Sequence, residues 1–275
     1  MILQHGLGSN LESFNLIAND LVAQGMRVLR FDFYDRGYSE TDHQRYPVSG
    51  ISHPLDFTLD VYVQQVRDVI TGLGLDNMDY IFCGHSTGGV TAIGYTAKYP
   101  EHFKGLILMS AVCLPASKPL TARVADLPII GNMLVYMFGA KTMIKFATTS
   151  CHSPSTFPEV QDFLDKIARN VYENKRYFAA IRSTNGHCKG FVGSAEEEFR
   201  TVCKYKVPIH MIWGEADASV PFSQCLELQR IAKEEEGLED VTLTSFEGMP
   251  HQTLLADAKP KECSESICNF VAKFQ

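Results

Sequence analysis

Apolar and polar positions follow two rhythms along this chain. Short apolar runs at residues 26–31, 78–83, 105–110, 208–213 and 241–246 each close on a polar or Gly-rich turn and read as β-strands. Between them lie stripes of helical period. Leu11, Phe14, Ile17, Leu21 and Val22 form one, ended by Gly25; Leu59, Tyr62, Val63, Val66, Val69, Ile70 and Leu73 form a second. Ile267, Phe270, Val271 and Phe274 predict a last helix. Strands that alternate with helices predict an α/β fold with a mostly parallel sheet. The alternation stops between 114 and 207, where Pro115, Pro119, Pro128, Pro154 and Pro158 break up several helical patterns and no strand is evident. That stretch reads as a helical cap inserted between two strands. It divides the core into residues 1–113 and 208–275.

Composition narrows the class. A 275-residue chain with 45% apolar and 21% charged residues can bury a sizeable core and is neither disordered nor collagen-like. Its net charge of −7 provides no field for nucleic acid. Met1-Ile2-Leu3-Gln4-His5 reaches a polar residue too soon for a secretory signal, and no apolar run approaches the roughly 20 residues that span a bilayer. The most apolar stretch, 127–138, is interrupted by Gly131 and Asn132. Eight cysteines are scattered without a CxxC pair, which predicts small buried side chains in a reducing, cytoplasmic setting, with neither a disulfide framework nor a zinc site.

The strongest chemical signal is Gly84-His85-Ser86-Thr87-Gly88, between the strand at 78–83 and the helical stretch at 90–99. A serine on a sharp strand-to-helix turn has its hydroxyl lifted above the sheet edge, and the glycines relieve the crowding. The helix that follows points free N–H groups at developing negative charge. Such a serine needs a base, and the base an orienting carboxylate. In the chain order serine, acid, histidine, the loops after the last two strands supply Asp217, in Gly214-Glu215-Ala216-Asp217, and His251, in Gly248-Met249-Pro250-His251. Glu215 is the rival acid, nearer the strand end. The loop His5-Gly6-Leu7-Gly8-Ser9-Asn10 lets backbone approach closely, so the Leu7 and Thr87 N–H groups are the candidate oxyanion hole.

These motifs, with Asp35-Arg36-Gly37-Tyr38-Ser39, span almost the whole chain in the order of the α/β-hydrolase superfamily, and the sequence resembles its branch with a helical cap between the sixth and seventh strands. The resemblance implies a Ser86 nucleophile, His251 as general base and then acid, Asp217 as its orienter, and no cofactor. It also implies two strands before the His-Gly loop that the chain does not show, so the expectation is a missing N-terminal segment, or else another surface, to cover the sheet edge at 26–31. Asp35-Arg36-Gly37 is expected to be a structural ion pair and turn, and His85 to pack beside the elbow. His53, His102, His152, His187 and His210 read as surface or packing residues, and Glu234-Glu235-Glu236 as a solvated helix face.

The insertion bears on the substrate. Leu127, Pro128, Ile129, Ile130, Met133, Leu134, Tyr136, Met137 and Phe138 fit equally an apolar lid over Ser86 or the cap's own core. Lys141 and Lys145 behind them add peripheral contact with a lipid surface as a third reading. The expected function is a serine hydrolase of small-molecule carboxylic esters with apolar acyl or aromatic groups. A carbon–carbon bond hydrolase and a monoacylglycerol lipase-like enzyme are the enzymatic alternatives. From other classes stand a catalytically silent binding protein and an inactive truncated product. The oligomeric state is left open by the sequence.

Overall fold

The computed structural model describes residues 1–41, 55–115, 127, 130–153, 156–174, 176–188, 194–255 and 258–274. Six strands form one parallel sheet: β1 (Ile2–Gln4), β2 (Leu29–Arg30), β3 (Tyr80–His85), β4 (Phe103–Met109), β5 (Ile209–Gly214) and β6 (Val241–Phe246), in the spatial order β2-β1-β3-β4-β5-β6. Every pair is parallel. The central strands are buried on both faces and their residues alternate between two apolar layers. Phe82, Leu106, Leu108, Met211 and Trp213 face one layer; Cys83, Ile107, Met109 and Ile212 face the other. The first layer is covered by α2 (Leu59–Gly72), α3 (Thr87–Lys98), α7 (Glu196–Lys204) and α8 (Phe222–Arg230). The second is covered by α1 (Asn15–Ala23) and α9 (Pro260–Val271), which pack on each other.

All five expected strands are present; the one at 241–246 keeps both ends and the other four are shifted. The expected strand at 26–31 shrinks to two paired residues, because its partner β1 offers only three and the chain turns away after Arg30. It lies at the sheet edge. β3 runs two residues past Cys83, since Gly84 and His85 still pair with Leu108 and Met109. Both helical stripes bury the expected face, but Val22 and Leu73 at their ends point to solvent.

Between β4 and β5 lie α4 (Ile130–Thr149), α5 (Pro158–Glu173), α6 (Tyr177–His187) and then α7. In α7, Phe199, Val202 and Cys203 join the core beneath the sheet. The apolar group of the insertion departs from one expectation, that of a core within the cap. Leu127, Ile130, Met133, Tyr136, Met137 and Phe138 are exposed and so form no core of the cap; Pro128 and Ile129 lie outside the described residues. Helix α4 is mostly apolar, with Lys141 and Lys145 its charged residues, and α5 and α6 cover only part of it. No helix among the described residues is long and apolar enough to cross a membrane. Seven of the eight cysteines are buried, and burial pushes the thiols of Cys188, Cys203, Cys225 and Cys263 up to about 12.

Polar contacts dock the cap on the core. Asp35 does not pair with its neighbour Arg36, contrary to the expectation. It receives Arg176 of the cap at 3.2 Å and the N–H and hydroxyl of Thr41, while Asn174 Nδ2 donates to its carbonyl oxygen. Arg36 is fully buried in a box of Phe33, Phe57 and Tyr62. Its guanidinium donates to the carbonyl oxygens of Tyr34 (2.7 Å), Leu7 (3.4 Å) and Ala180 (3.3 Å) and to Thr184 Oγ1 (2.7 Å). Two of these acceptors belong to α6, so one cation ties cap to core. Lys166 of α5 reaches Glu12 at 2.9 Å, and Tyr177 Oη donates to the Gly8 carbonyl oxygen.

Two outcomes follow for stability. In a double-mutant cycle, Arg36→Met and Thr184→Val are expected to show a coupling of about 1.5–3 kcal/mol in urea denaturation, the worth of a buried bond to a charged donor; additive effects would remove Arg36 as the cap's tether. The second concerns His210, buried on β5 between the hydroxyls of Thr242 and Ser266 and pushed down to about 4 by burial, with Lys273 adding to it. The folded chain keeps this ring neutral while the unfolded chain protonates it near its ordinary value of about 6.5. The stabilisation is therefore complete above about pH 6.5 and is lost as pH falls from there toward about 4. His210→Gln is expected to flatten the fall in unfolding free energy between about pH 7 and pH 5, by up to ~1.4 kcal/mol per pH unit.

Candidate active site

The carboxyl ends of β1, β3, β5 and β6 bring four loops to one edge of the sheet. Ser86 stands between β3 and α3 with φ 55 and ψ −120, in the left-handed range that a non-glycine residue rarely adopts. Its N–H donates to the Met109 carbonyl oxygen at 2.9 Å, and its own carbonyl accepts from Gly89 (2.9 Å) and Val112 (3.1 Å). The turn is thus pinned on both sides. The flanking glycines are required by space: a Cβ on Gly84 would lie 2.3 Å from the Gly88 oxygen, and one on Gly88 2.2 Å from the Gln4 oxygen.

The acid and base loops meet beyond β5 and β6. A Cβ on Gly214 would fall 2.3 Å from the Met249 oxygen and 2.4 Å from that of Pro250, so only glycine lets the 249–251 segment lie against the end of β5. His251 Nδ1–H donates to Asp217 Oδ2 at 2.8 Å, with both side chains buried. Asp217 Oδ1 accepts the N–H groups of Ser219 and Val220 at 2.8 and 2.9 Å. Burial pushes the Asp217 carboxyl up, but His251 and the two amides outweigh it and hold the group below the usual carboxylate range. Glu215 is exposed and accepts instead from Ser245 Oγ. The structure therefore brings Asp217, not Glu215, to His251.

His85 does more than pack. Its Nε2–H donates to the His251 carbonyl oxygen at 3.1 Å and the two rings lie 4.8 Å apart, so the residue beside Ser86 holds the backbone of the His251 segment. Burial pushes it down to about 3, with the neighbouring His251 adding to the effect; the ring stays neutral and keeps its role as a donor. The Leu7 loop arrives through Gly6, where a Cβ would lie 3.0 Å from Ser86 Cβ and 3.5 Å from Ser86 Oγ. Thr87 is the first residue of α3, where helix geometry leaves N–H groups without a partner in the helix.

A buried histidine supports this loop, with an aspartate beside it, and the sequence carried no signal for either. His5 Nδ1–H donates to the Gly6 carbonyl oxygen at 2.7 Å, its Nε2 accepts the Phe33 N–H at 3.1 Å, and Asp32 Oδ1 lies 3.3 Å from the same nitrogen. Asp32 also accepts from Leu11 and Tyr38 N–H. Of the other histidines, His152 and His187 are exposed, His102 is half-buried, and His53 lies outside the described residues. Among the described residues no cluster of ligating side chains could hold a metal ion.

Residues 1–258 match the family described as serine aminopeptidase, S33. The chain is 23% identical over 218 residues to Lipase 3 of Moraxella sp. (strain TA144), covering 79% of this chain and 62% of that protein, so it spans about three-fifths of that relative's length. Two solved structures share the fold. One is the enol-lactonase of Burkholderia xenovorans LB400, with TM-score 0.74, 16% identity, and 98% and 90% of the two chains covered. The other is the 2-hydroxy-6-oxo-6-phenylhexa-2,4-dienoate hydrolase of Rhodococcus sp. strain RHA1, with TM-score 0.72, 17% identity, and 98% and 89% covered. With a parallel sheet, a serine elbow after β3 and a match over nearly its full length, the chain belongs to the serine aminopeptidase S33 family of α/β-hydrolases.

Proposed function

We propose that the protein hydrolyses small carboxylic esters through a covalent acyl-enzyme. Ser86 Oγ attacks the ester carbonyl carbon while His251 takes its proton. The oxyanion that forms is held by the N–H groups of Leu7 and Thr87. Collapse expels the alcohol, which receives the proton from His251; a water then repeats the sequence, with His251 again as base, and releases the acid. Asp217 holds the imidazole with Nδ1 protonated and stabilises the cation that forms on it. His85 keeps the His251 backbone in place.

The observation that carries this reading is the strained Ser86 turn at the same sheet edge as a buried His251–Asp217 pair at 2.8 Å. A lipase and an enol-lactonase among the similar proteins agree with ester cleavage. Esters of apolar acyl or aromatic groups suit the apolar cap helices beside the loop: Met143 of α4 and Tyr177 of α6 both touch Gly8.

Labelling with a fluorophosphonate, followed by peptide mapping, is expected to place the adduct on Ser86. Ser86→Ala and His251→Ala should lower kcat on a p-nitrophenyl ester by about 10⁴–10⁶-fold, and Asp217→Asn by about 10⁴-fold, with the folded state retained. Hydrolysis that survives in His251→Ala would remove the proposed base, and an adduct elsewhere would remove the nucleophile.

A further inference from the structure

Helix α4 is anchored at one end and overhangs at the other. Its second half is tied down: Met143 lies on Gly8, Ala147 joins the core, and the Ser150 carbonyl oxygen beyond its end accepts the N–H of Gln252, next to His251. In the first half Leu134 and Val135 are half-buried, but Ile130, Met133, Tyr136, Met137 and Phe138 are exposed. Tyr136 shares a helix face with Met143 and Ala147, at offsets of seven and eleven residues, yet it is 85% exposed. The first turns therefore project past the surface that the rest of the helix packs on.

The outer face has its own order. Ile130, Met133, Met137, Lys141 and Lys145 follow at spacings of three and four, all exposed, with Phe138 beside them. The stripe is apolar for two turns and then basic. The whole helix contains no aspartate or glutamate, in a chain whose net charge is −7. Apolar side chains at a projecting tip, with two ammonium groups one and two turns behind them, match the layering of a membrane surface: acyl region first, phosphate headgroups next. A chain with this overall charge would be repelled by anionic lipid unless the approaching patch were locally basic.

We infer that the exposed face of α4 docks the protein on an anionic phospholipid surface, with Ile130, Met133, Tyr136, Met137 and Phe138 entering the interface and Lys141 and Lys145 meeting headgroup phosphate. The inference deepens the proposed ester hydrolysis, because the anchored end of the same helix touches the Gly8 and Gln252 backbone that flanks Ser86 and His251. Docking there holds the candidate site close to esters dissolved in the bilayer.

The test is co-sedimentation with phosphatidylcholine vesicles containing about one-third phosphatidylserine, against phosphatidylcholine alone. The protein is expected to sediment with the anionic vesicles and to be released by salt. Lys141→Gln and Lys145→Gln should each weaken binding by about 5-fold, and the double variant Met133→Asp/Met137→Asp should lose it. None of these substitutions touches the triad, so hydrolysis of a soluble p-nitrophenyl ester stays at the wild-type rate. Ser86→Ala should bind vesicles as the wild type does, which separates docking from catalysis: full binding with no ester turnover overturns the proposed function and leaves the docking surface intact. Failure to sediment, or Met133→Asp/Met137→Asp binding like the wild type, overturns the docking surface. So does a concentration-dependent dimer in analytical ultracentrifugation that the same variant dissociates, since the face would then join two copies of the chain.

Discussion

Gly88, in the first turn of α3, meets the end of β1 so closely that a Cβ would stand 2.2 Å from the Gln4 oxygen and 2.6 Å from that of His5. Gly84 meets Gly88 in the same way, and Gly214 meets the 249–250 backbone. Backbone against backbone, with no side chain between, sets the carboxyl edge of the sheet. Because α3 can sit down onto β1, the Ser86 turn and the 5–8 loop share one spot. Because the 249–251 segment can lie on β5, His251 reaches Asp217. A methyl group at any of these glycines would push two loops apart, and the candidate site is made of those loops.

A layer of buried polar groups rests on that edge and fixes the loops in turn. Asp217 is satisfied by two amides and an imidazole, and Asp32 by two amides beside His5. His85 supplies a donor to the His251 carbonyl. Each group is buried, so each costs free energy unless its partners stay in place, which makes the arrangement stiff. Arg36 extends the same logic to the cap: its donors find oxygen atoms on the 5–8 loop, on the 32–36 loop and on α6, while three aromatic rings surround its cation.

Helix α4 shows the opposite balance. Its packed end is fixed by Met143, Ala147 and the Ser150–Gln252 bond, and its apolar tip has no such cover among the described residues. One element thus joins the edge that carries the candidate site to an exposed apolar surface.

By itself, the sequence determined the class of fold and the candidate serine, aspartate and histidine of the site. Strand-length apolar runs must be buried on both faces, and amphipathic stretches must cover them, so periodicity alone yields the layers. Serine, aspartate and histidine each stand just past such a run, where the chain leaves the sheet, and that local position needs no tertiary information. Only the tertiary structure decided what depends on distance between segments far apart in the chain. It chose Asp217 over Glu215 by burial, paired Asp35 with Arg176 rather than with Arg36, gave His85 a carbonyl to hold and joined His5 with Asp32. It also turned the apolar start of α4 outward. A helix that is mostly apolar around its circumference carries little periodic signal for which side is covered, so its exposure depends on the neighbours that reach it.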